Sequence, residues 1–182
     1  MNRTQVICIH EGKHNSIDRI FANAFIRKLN PSWLRPTETV YFVECGSRSN
    51  VISRFPIELK NCAKMGSNAT LVVLADVDDD CKDADELKRK FWEFAKNADI
   101  SIEMFEKAIF IFPKDRIENW IQFLSTGETD ENKEAPRVTG IEAKRAARKL
   151  AEMHESNKKP ANLPPSLKWS CINWKKLTAR MS

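Results

Sequence analysis

Short apolar runs and amphipathic stretches alternate along the first two thirds of the chain. Runs rich in β-branched and aromatic residues predict four strands, at about residues 5–10, 39–44, 70–75 and 108–112. Apolar residues at helical spacing predict the intervening helices, at about 17–29, from 47 to 65 with an interruption at Pro56, 84–96 and 115–124. Alternating strands and helices are typical of an α/β fold, so we expect a mostly parallel, four-stranded Rossmann-like sheet flanked by helices.

The pattern changes near the end of this alternation. Residues 125–139 are polar and contain Gly and Pro, which predicts a mobile loop between an α/β core over 1–124 and a C-terminal part over 140–182. The C-terminal part contains two predicted helices joined by a Pro-containing linker. We therefore expect a helical C-terminal extension that packs on the core.

Carboxylates follow two of the predicted strands directly. Glu11 and Gly12 come after the first strand, and Asp76 and Asp78 come after the third. Ligand sites of open α/β sheets lie at the carboxyl ends of the strands, where these acids would meet. Such a group holds a hard cation such as Mg²⁺ or Mn²⁺, or it repels itself. The alternative is a solvated acidic loop whose carboxylates cap the next helix.

Composition narrows the class of protein. The 182 residues are 42% hydrophobic and 30% charged, which is typical of one soluble globular domain. No apolar run approaches the roughly 18 residues that cross a bilayer, and the first residues do not form a secretory signal. The five cysteines are odd in number and lack C-x-x-C spacing, which argues against disulfides or a zinc knuckle. We expect a cytoplasmic protein that does not bind membranes.

The net charge of +5 is unevenly distributed. Residues 76–86 are strongly acidic, whereas basic residues dominate from residue 133 onward, which favours a polyanionic partner. On the predicted helix at about 140–154, four basic residues lie largely opposite the apolar face and could follow a phosphate backbone. We assign nucleic-acid binding, DNA or RNA, to Lys13, Lys144, Arg145, Arg148 and Lys149. The alternative for this basic stripe is an ordinary solvated surface.

Glu118 is a further candidate acid. It borders the apolar stripe of the helix after the fourth strand, and that helix should begin near the same edge of the sheet as Asp76. Glu118 could add a metal ligand, with Lys114 or Arg116 neutralising a phosphate. The competing interpretation is a capping box, because Asp115 stands three residues before Glu118.

The segment His10-Glu11-Gly12-Lys13-His14 matches the H-E-x-x-H pattern of zinc metalloproteases. That chemistry needs both histidines on one face of a helix, whereas an apolar β-type run leads into this segment and Gly12 lies at its centre. Coincidence at a strand-to-helix turn is the favoured explanation.

Three segments resemble the Toprim family, the catalytic domain of topoisomerases, bacterial primases and overcoming-lysogeny-defect nucleases. They are VICIHEGKHNSIDRIFANAF, TVYFVECGSRSNVISRF and LVVLADVDDD, which together extend over roughly residues 5–96. In that family the Glu is a general acid/base or metal ligand and the Asp pair binds Mg²⁺. The resemblance places these roles on Glu11, Asp76 and Asp78. A Gly often follows the Asp pair in the family, whereas Asp79 follows it here.

The segments FIFPKDRIENWIQFL and PPSLKWSCINWKKL are similar to those of small bacterial Toprim-like proteins, some of them linked to phage defence. The leading hypothesis is therefore Mg²⁺-dependent nuclease cleavage of a nucleic-acid phosphodiester, with Glu11, Asp76, Asp78 and Glu118 as the catalytic residues. A second hypothesis is a non-catalytic protein that binds nucleic acid or a separately encoded ATPase partner. A third is an Asp-x-Asp phosphohydrolase with Asp76 as nucleophile, for which Lys114 and Glu118 are not a convincing match to the other required groups.

Overall fold

The computed structural model describes residues 5–29, 40–67 and 69–179. Four strands and seven helices lie within these ranges. In chain order they are β1 (Gln5–His10), α1 (Ile17–Leu29), β2 (Tyr41–Glu44), α2 (Arg48–Lys64), β3 (Ala69–Leu74), α3 (Ala84–Asn97), α4 (Ile102–Phe105), β4 (Ile109–Ile111), α5 (Ile117–Thr126), α6 (Gly140–Glu155) and α7 (Pro165–Ala179). Thr39, the predicted first residue of the second strand, lies outside the described residues.

All four strands are parallel, in the order β2-β1-β3-β4. This arrangement confirms the predicted α/β fold, with a parallel four-stranded sheet flanked by helices and a helix at the C-terminal end. The chain moves from β1 to one side to form β2, whereas β3 and β4 lie on the other side of β1. The strand order therefore reverses between β1 and β3, which is where open α/β sheets bind ligands.

Helices cover both faces of the sheet, which explains why its strands are almost continuously apolar. Alternate residues of β1 point to opposite faces. Val6 and Cys8 pack in a core with α1, α5, α6 and α7, whereas Ile7 and Ile9 pack in a second core with α2 and α3. The helices before β2 and after β4 thus share one face, and the amino termini of α1 and α5 lie at the same edge.

The predicted interruption at Pro56 is wrong. Helix α2 runs through Pro56 without a break, after an amino-terminal cap in which the Ser47 hydroxyl accepts a hydrogen bond from the Asn50 N–H. Proline removes one helical hydrogen bond, but it does not end a helix that tertiary packing holds in place. Here Phe55 and Leu59, on either side of Pro56, are buried against the sheet.

Helix α7 covers the outer edge of β4. The Ser170 hydroxyl accepts a hydrogen bond from the Phe112 N–H at 3.1 Å, and the Ser166 hydroxyl accepts one from the Lys114 N–H at 3.2 Å. An exposed strand edge presents unpaired backbone groups that invite association, and these serine side chains satisfy two of them.

The segment from 127 to 139, between α5 and α6, contains no helix or strand. It is nevertheless anchored, because Glu131 and Ala135 are buried and Glu131 accepts hydrogen bonds from the backbone and side chain of Ser166. Among the described residues, no helix is both long enough and apolar enough to cross a membrane.

Candidate functional site

The carboxyl edge of the sheet gathers the predicted acids at the point where the strand order reverses. Glu11 follows β1 and Asp76 follows β3, which are paired along their whole length. One oxygen of the Glu11 carboxylate accepts a hydrogen bond from the backbone N–H of Asp76 at 2.9 Å. This contact joins the two segments that the sequence predicted to provide metal ligands.

Asp76 lies at the electrostatic centre of this group. Burial raises the pKa of its carboxyl well above the ordinary range, and the neighbouring carboxylates of Asp18, Glu11, Asp78 and Glu118 raise it further. Glu118 thus faces the site, from the first turn of α5. Concentrated negative charge of this kind is costly without a cation or bound protons.

Asp18 was not predicted as a site residue. It lies in the first turn of α1, and burial together with the nearby Glu118 raises the pKa of its carboxyl to about 6. An aspartate there looks in sequence like a favourable partner of the helix dipole. Asp18 could have been predicted only from the topology of the sheet. Because α1 and α5 lie on the same face, their first turns come together beside Asp76.

Gly12 allows α1 to begin close to the site. A β-carbon at this position would lie 2.5 Å from Cβ of Ser16 and 3.2 Å from a carboxylate oxygen of Asp18, and still closer to the Ser16 hydroxyl. A larger residue would therefore displace the start of α1. The glycine after the first acid is required by this close approach.

A second group that was not predicted is Arg48, at the start of α2. Its guanidinium forms ion pairs with Asp78, at 3.1 Å, and with Asp80, and it donates a hydrogen bond to the backbone carbonyl of Asp76 at 3.2 Å. Lys90 also pairs with Asp80, at 2.8 Å. The protein itself thus neutralises the outer acids of the loop after β3.

Burial and charge therefore divide the site into two parts. Asp78 and Asp80 are about half exposed and form ion pairs with Arg48. Asp76 is instead buried near the carboxylates of Glu11, Asp18 and Glu118. Within the described ranges, no three His, Cys, Asp or Glu side chains converge closely enough to form a ready-made metal cage.

The histidines of the H-E-x-x-H match are not arranged for zinc. His10 ends β1 and is fully buried, whereas His14 lies in the turn before α1 and is 71% exposed. His14 instead contacts Arg19 and Glu44. The helical zinc-binding geometry is therefore excluded, as the apolar run before this segment had indicated.

His10 is unusual for a different reason. Both of its ring nitrogens are buried without a hydrogen-bond partner among the described residues, and its ring packs edge-on against Phe42. Burial lowers the pKa of His10 to about 4, so the ring is neutral near pH 7.

The capping-box interpretation of Asp115 and Glu118 is wrong. The residue that caps α5 is Arg116, which makes no side-chain capping hydrogen bond, and Asp115 adopts a left-handed conformation with φ of 62°. The Arg116 side chain is engaged in ion pairs with Asp115 at 3.3 Å and with Glu134 at 2.8 Å. Arg116 is therefore already paired, which leaves Lys114 as the less committed of the two predicted phosphate partners.

The predicted basic stripe forms an exposed face of α6. Lys144, Arg145 and Arg148 line a shallow groove there with the 73%-exposed Ile141. Lys149 borders the same groove, but its ammonium donates to the carbonyl of Leu124 at the end of α5.

This basic face begins near the acidic edge. Gly140, the first residue of α6, lies against Ile20, two residues after Asp18 in α1. Lys13, the other predicted nucleic-acid contact, is exposed in the turn between β1 and α1.

Comparisons of the chain with protein-family models, with curated proteins and with solved structures found no match. The function is therefore argued from the geometry of the site.

Proposed function

We propose that this protein is a divalent-metal-dependent nuclease of the Toprim type, which cleaves phosphodiester bonds in nucleic acid. The observation that carries the proposal is the environment of Asp76. Its carboxyl lies where the strand order reverses, among Glu11, Asp18 and Glu118, and burial with these like charges raises its pKa. The resemblance of the chain to Toprim segments supports the same residues and extends the proposal to bacterial phage defence.

The residues present fit a Mg²⁺ or Mn²⁺ ion. These ions prefer carboxylate oxygens, and Mg²⁺ often uses only one or two of them together with waters and substrate phosphates, so a closed protein cage is not needed. Asp76 and Asp78 would hold the ion, Glu118 would add a ligand, and Glu11 would complete the shell whenever its second oxygen is not moving a proton. When bound, the ion would stabilise charge on the phosphate and activate a water.

Two carboxyl groups of the chain are suited to move protons. Burial raises the pKa of Glu11, and the hydrogen bond from Asp76 N–H fixes its first oxygen, which leaves the second to take or give a proton. Asp18, with a pKa of about 6, is a second proton carrier that works near neutral pH. We assign acid–base catalysis to Glu11 with Asp18 in support.

The exposed face of α6 would hold the nucleic-acid backbone. Lys144, Arg145 and Arg148 are exposed along one helix, where their charges can follow successive phosphates. If these contacts form, the affinity for nucleic acid should fall as the salt concentration rises. The five cysteines are free thiols, which supports a reducing, cytoplasmic location.

The first experiment is a calorimetric titration with Mg²⁺ or Mn²⁺. Wild-type protein should bind the ion, and the double variant Asp76→Asn/Asp78→Asn should not. The variant should fold normally, because the backbone N–H of Asp76 still has Glu11 as its acceptor. Adding an oligonucleotide to both proteins extends the test to an ion that needs substrate phosphate to bind. Equal binding by the two proteins in both settings would refute the metal site.

The second experiment measures cleavage of single- and double-stranded DNA and RNA with added Mg²⁺ or Mn²⁺. Asp76→Asn should abolish cleavage while circular dichroism shows an intact fold. Asp99→Asn is the matched control, since Asp99 is an exposed aspartate at the end of α3, away from the site. Full activity in Asp76→Asn would overturn the assignment.

A non-catalytic role is the second candidate, and Arg48 is the observation that favours it. Its ion pairs with Asp78 and Asp80 satisfy those acids without a metal. In this case the protein would bind nucleic acid, or a separately encoded ATPase, equally well in the presence of EDTA. Cleavage that requires Mg²⁺ and Asp76 would exclude this role.

A further inference from the structure

A pocket of about 520 Å³ opens beside the acidic edge, and of its lining residues the sequence had suggested a role only for Lys114. This volume lies within the range of roughly 300–1,000 Å³ that is usual for small-molecule sites. Its walls come from the loop after β3, the start of α3, residues 129–132 and the start of α7. The pocket therefore depends on the C-terminal part of the chain.

The pocket adjoins the acids through the backbone. Val77 lies between Asp76 and Asp78 in sequence, lines the pocket, and forms a parallel bridge with Lys114. Consecutive Cα atoms are about 3.8 Å apart, so the backbone of Asp76 and of Asp78 lies next to this wall of the pocket.

Two lysines supply cationic charge in this pocket. Lys82 and Lys114 line it, and within the part of the chain that the structure describes their ammonium groups form no ion pair or hydrogen bond. Unpaired ammonium groups in a concave site are partners for a phosphate. Each offers up to three donors.

Each of the four carboxylates in the lining already has a hydrogen-bond or ion-pair partner, and Asp130 is the one paired with a cation among the described residues. Asp83 caps α3 by accepting the Glu86 N–H at 2.9 Å, and Asp85, in the first turn of α3, accepts a hydrogen bond from Trp169. Both are stabilised by the helix dipole. Asp130 pairs with Lys133 at 3.2 Å, and Glu131 accepts hydrogen bonds from Ser166.

The pocket also presents an aromatic wall that is held in place. Trp169 stacks on Phe112, with 5.3 Å between ring centroids and 11° between planes, and its indole N–H donates to Asp85 at 2.8 Å. Asn132 and Asn162 line the same pocket, and each uses its amide NH₂ internally, which leaves the amide oxygen as an acceptor. A fixed indole and amide acceptors are groups that recognise an unstacked base.

From these features we propose that the pocket binds one nucleotide of a single-stranded nucleic acid, with its phosphate on Lys82 and Lys114 and its base against Trp169. A base that stacks on Trp169 cannot at the same time remain stacked in a duplex, so the substrate class is single-stranded or locally unpaired. The inference rests on the proposed function for its role, since the pocket would hold the nucleotide next to the cleaved bond. Nucleotide binding itself requires neither the metal nor Asp76.

The test is calorimetry in EDTA with the four nucleoside 5′-monophosphates, the corresponding nucleosides and inorganic phosphate. At least one monophosphate should bind wild-type protein more tightly than its nucleoside and than phosphate. The double variant Lys82→Ala/Lys114→Ala should weaken that binding by about tenfold or more. Lys64→Ala/Lys96→Ala is the matched control, because it removes the same charge from exposed helical positions, and it should bind as wild type does.

The outcomes separate this inference from the nuclease proposal. Asp76→Asn should retain mononucleotide binding even though it loses cleavage. If wild-type protein binds none of the monophosphates at millimolar concentration, or if both double variants bind alike, the pocket assignment is wrong. If inorganic phosphate binds as well as every nucleotide, the base has no site and the inference is also overturned. Mononucleotide binding without any cleavage would uphold the pocket and count against the nuclease.

Discussion

Replacing Asp18 by Asn should stabilise the cation-free protein at neutral pH. Folding raises the pKa of this carboxyl from 3.8 to about 6, mainly by burial and then by the charge of Glu118. A group whose pKa rises on folding stabilises the protein below its unfolded pKa and loses that contribution as the pH rises through its folded pKa. Above pH 6 the folded protein therefore carries a charge that it disfavours.

The change in pKa corresponds to at most about 3 kcal/mol, and partial solvent access reduces this to about 1–3 kcal/mol. For a domain of this size, each kcal/mol moves Tm by about 2–4 °C. In EDTA at pH 7.5, Asp18→Asn should therefore raise Tm by about 2–12 °C. At pH 3.5 the wild-type carboxyl is already protonated, so the gain should vanish.

The assay is thermal unfolding of wild type and variant, followed by circular dichroism at several pH values between 3.5 and 7.5. Glu93→Gln is the control, because Glu93 is exposed in the middle of α3 and lies outside the acidic cluster. An Asp18→Asn variant that is destabilised at pH 7.5, or whose stability differs from that of wild type by the same amount at every pH, would refute the electrostatic description of the site.

Three further predictions concern groups around the sheet. Folding lowers the pKa of His10 from 6.5 to about 4, so the free energy of unfolding should fall as the pH drops below 6.5. At pH 5, His10→Leu should remove about 2 kcal/mol of that loss, measured by urea unfolding. Equal losses in wild type and variant would contradict the prediction. Ser166→Ala leaves the Trp120 N–H and one oxygen of the buried Glu131 carboxylate without a partner. It should cost about 2–4 kcal/mol in the same assay, against little change for the exposed control Ser156→Ala. Arg48→Ala frees Asp78 from its ion pair, so calorimetry should show about fivefold tighter Mn²⁺ binding. The control Arg48→Lys should bind Mn²⁺ about as wild type does. Weaker binding by the alanine variant would show that Arg48 is needed to position the metal ligands.

The α/β fold was predictable because each strand is buried on both faces. A parallel strand in this position has no polar side, so β1 and β3 appear in the sequence as apolar runs that end abruptly at Glu11 and Asp76. The prediction of a helix interruption at Pro56 failed for the opposite reason. Local propensity favours a break there, and only the packing of α2 against the sheet, which the sequence does not display, overrides it.

The site could be predicted only where it follows a strand directly. Glu11, Asp76 and Asp78 are located by strand ends alone, whereas Asp18 and Arg48 reach the same edge because of the strand order and the faces on which α1 and α2 lie. Neither residue stands out locally. An aspartate in a first helical turn and an arginine after a serine cap are common features of surface helices.

The arrangement of these helices also explains how the protein tolerates so many acids at one edge. Asp18 and Glu118 lie in the first turns of α1 and α5, where the partial positive charge of the helix termini favours carboxylates. On the opposite face of the sheet, Arg48 begins α2 and holds Asp78. Asp76 follows its strand with neither a helix terminus nor an arginine side chain on its carboxyl, and the carboxylates of Asp18, Glu11, Asp78 and Glu118 surround it, so the uncompensated charge is concentrated there. A cation that reaches this edge would gain most at Asp76, which is why the metal titration of the Asp76 variant tests the whole assignment.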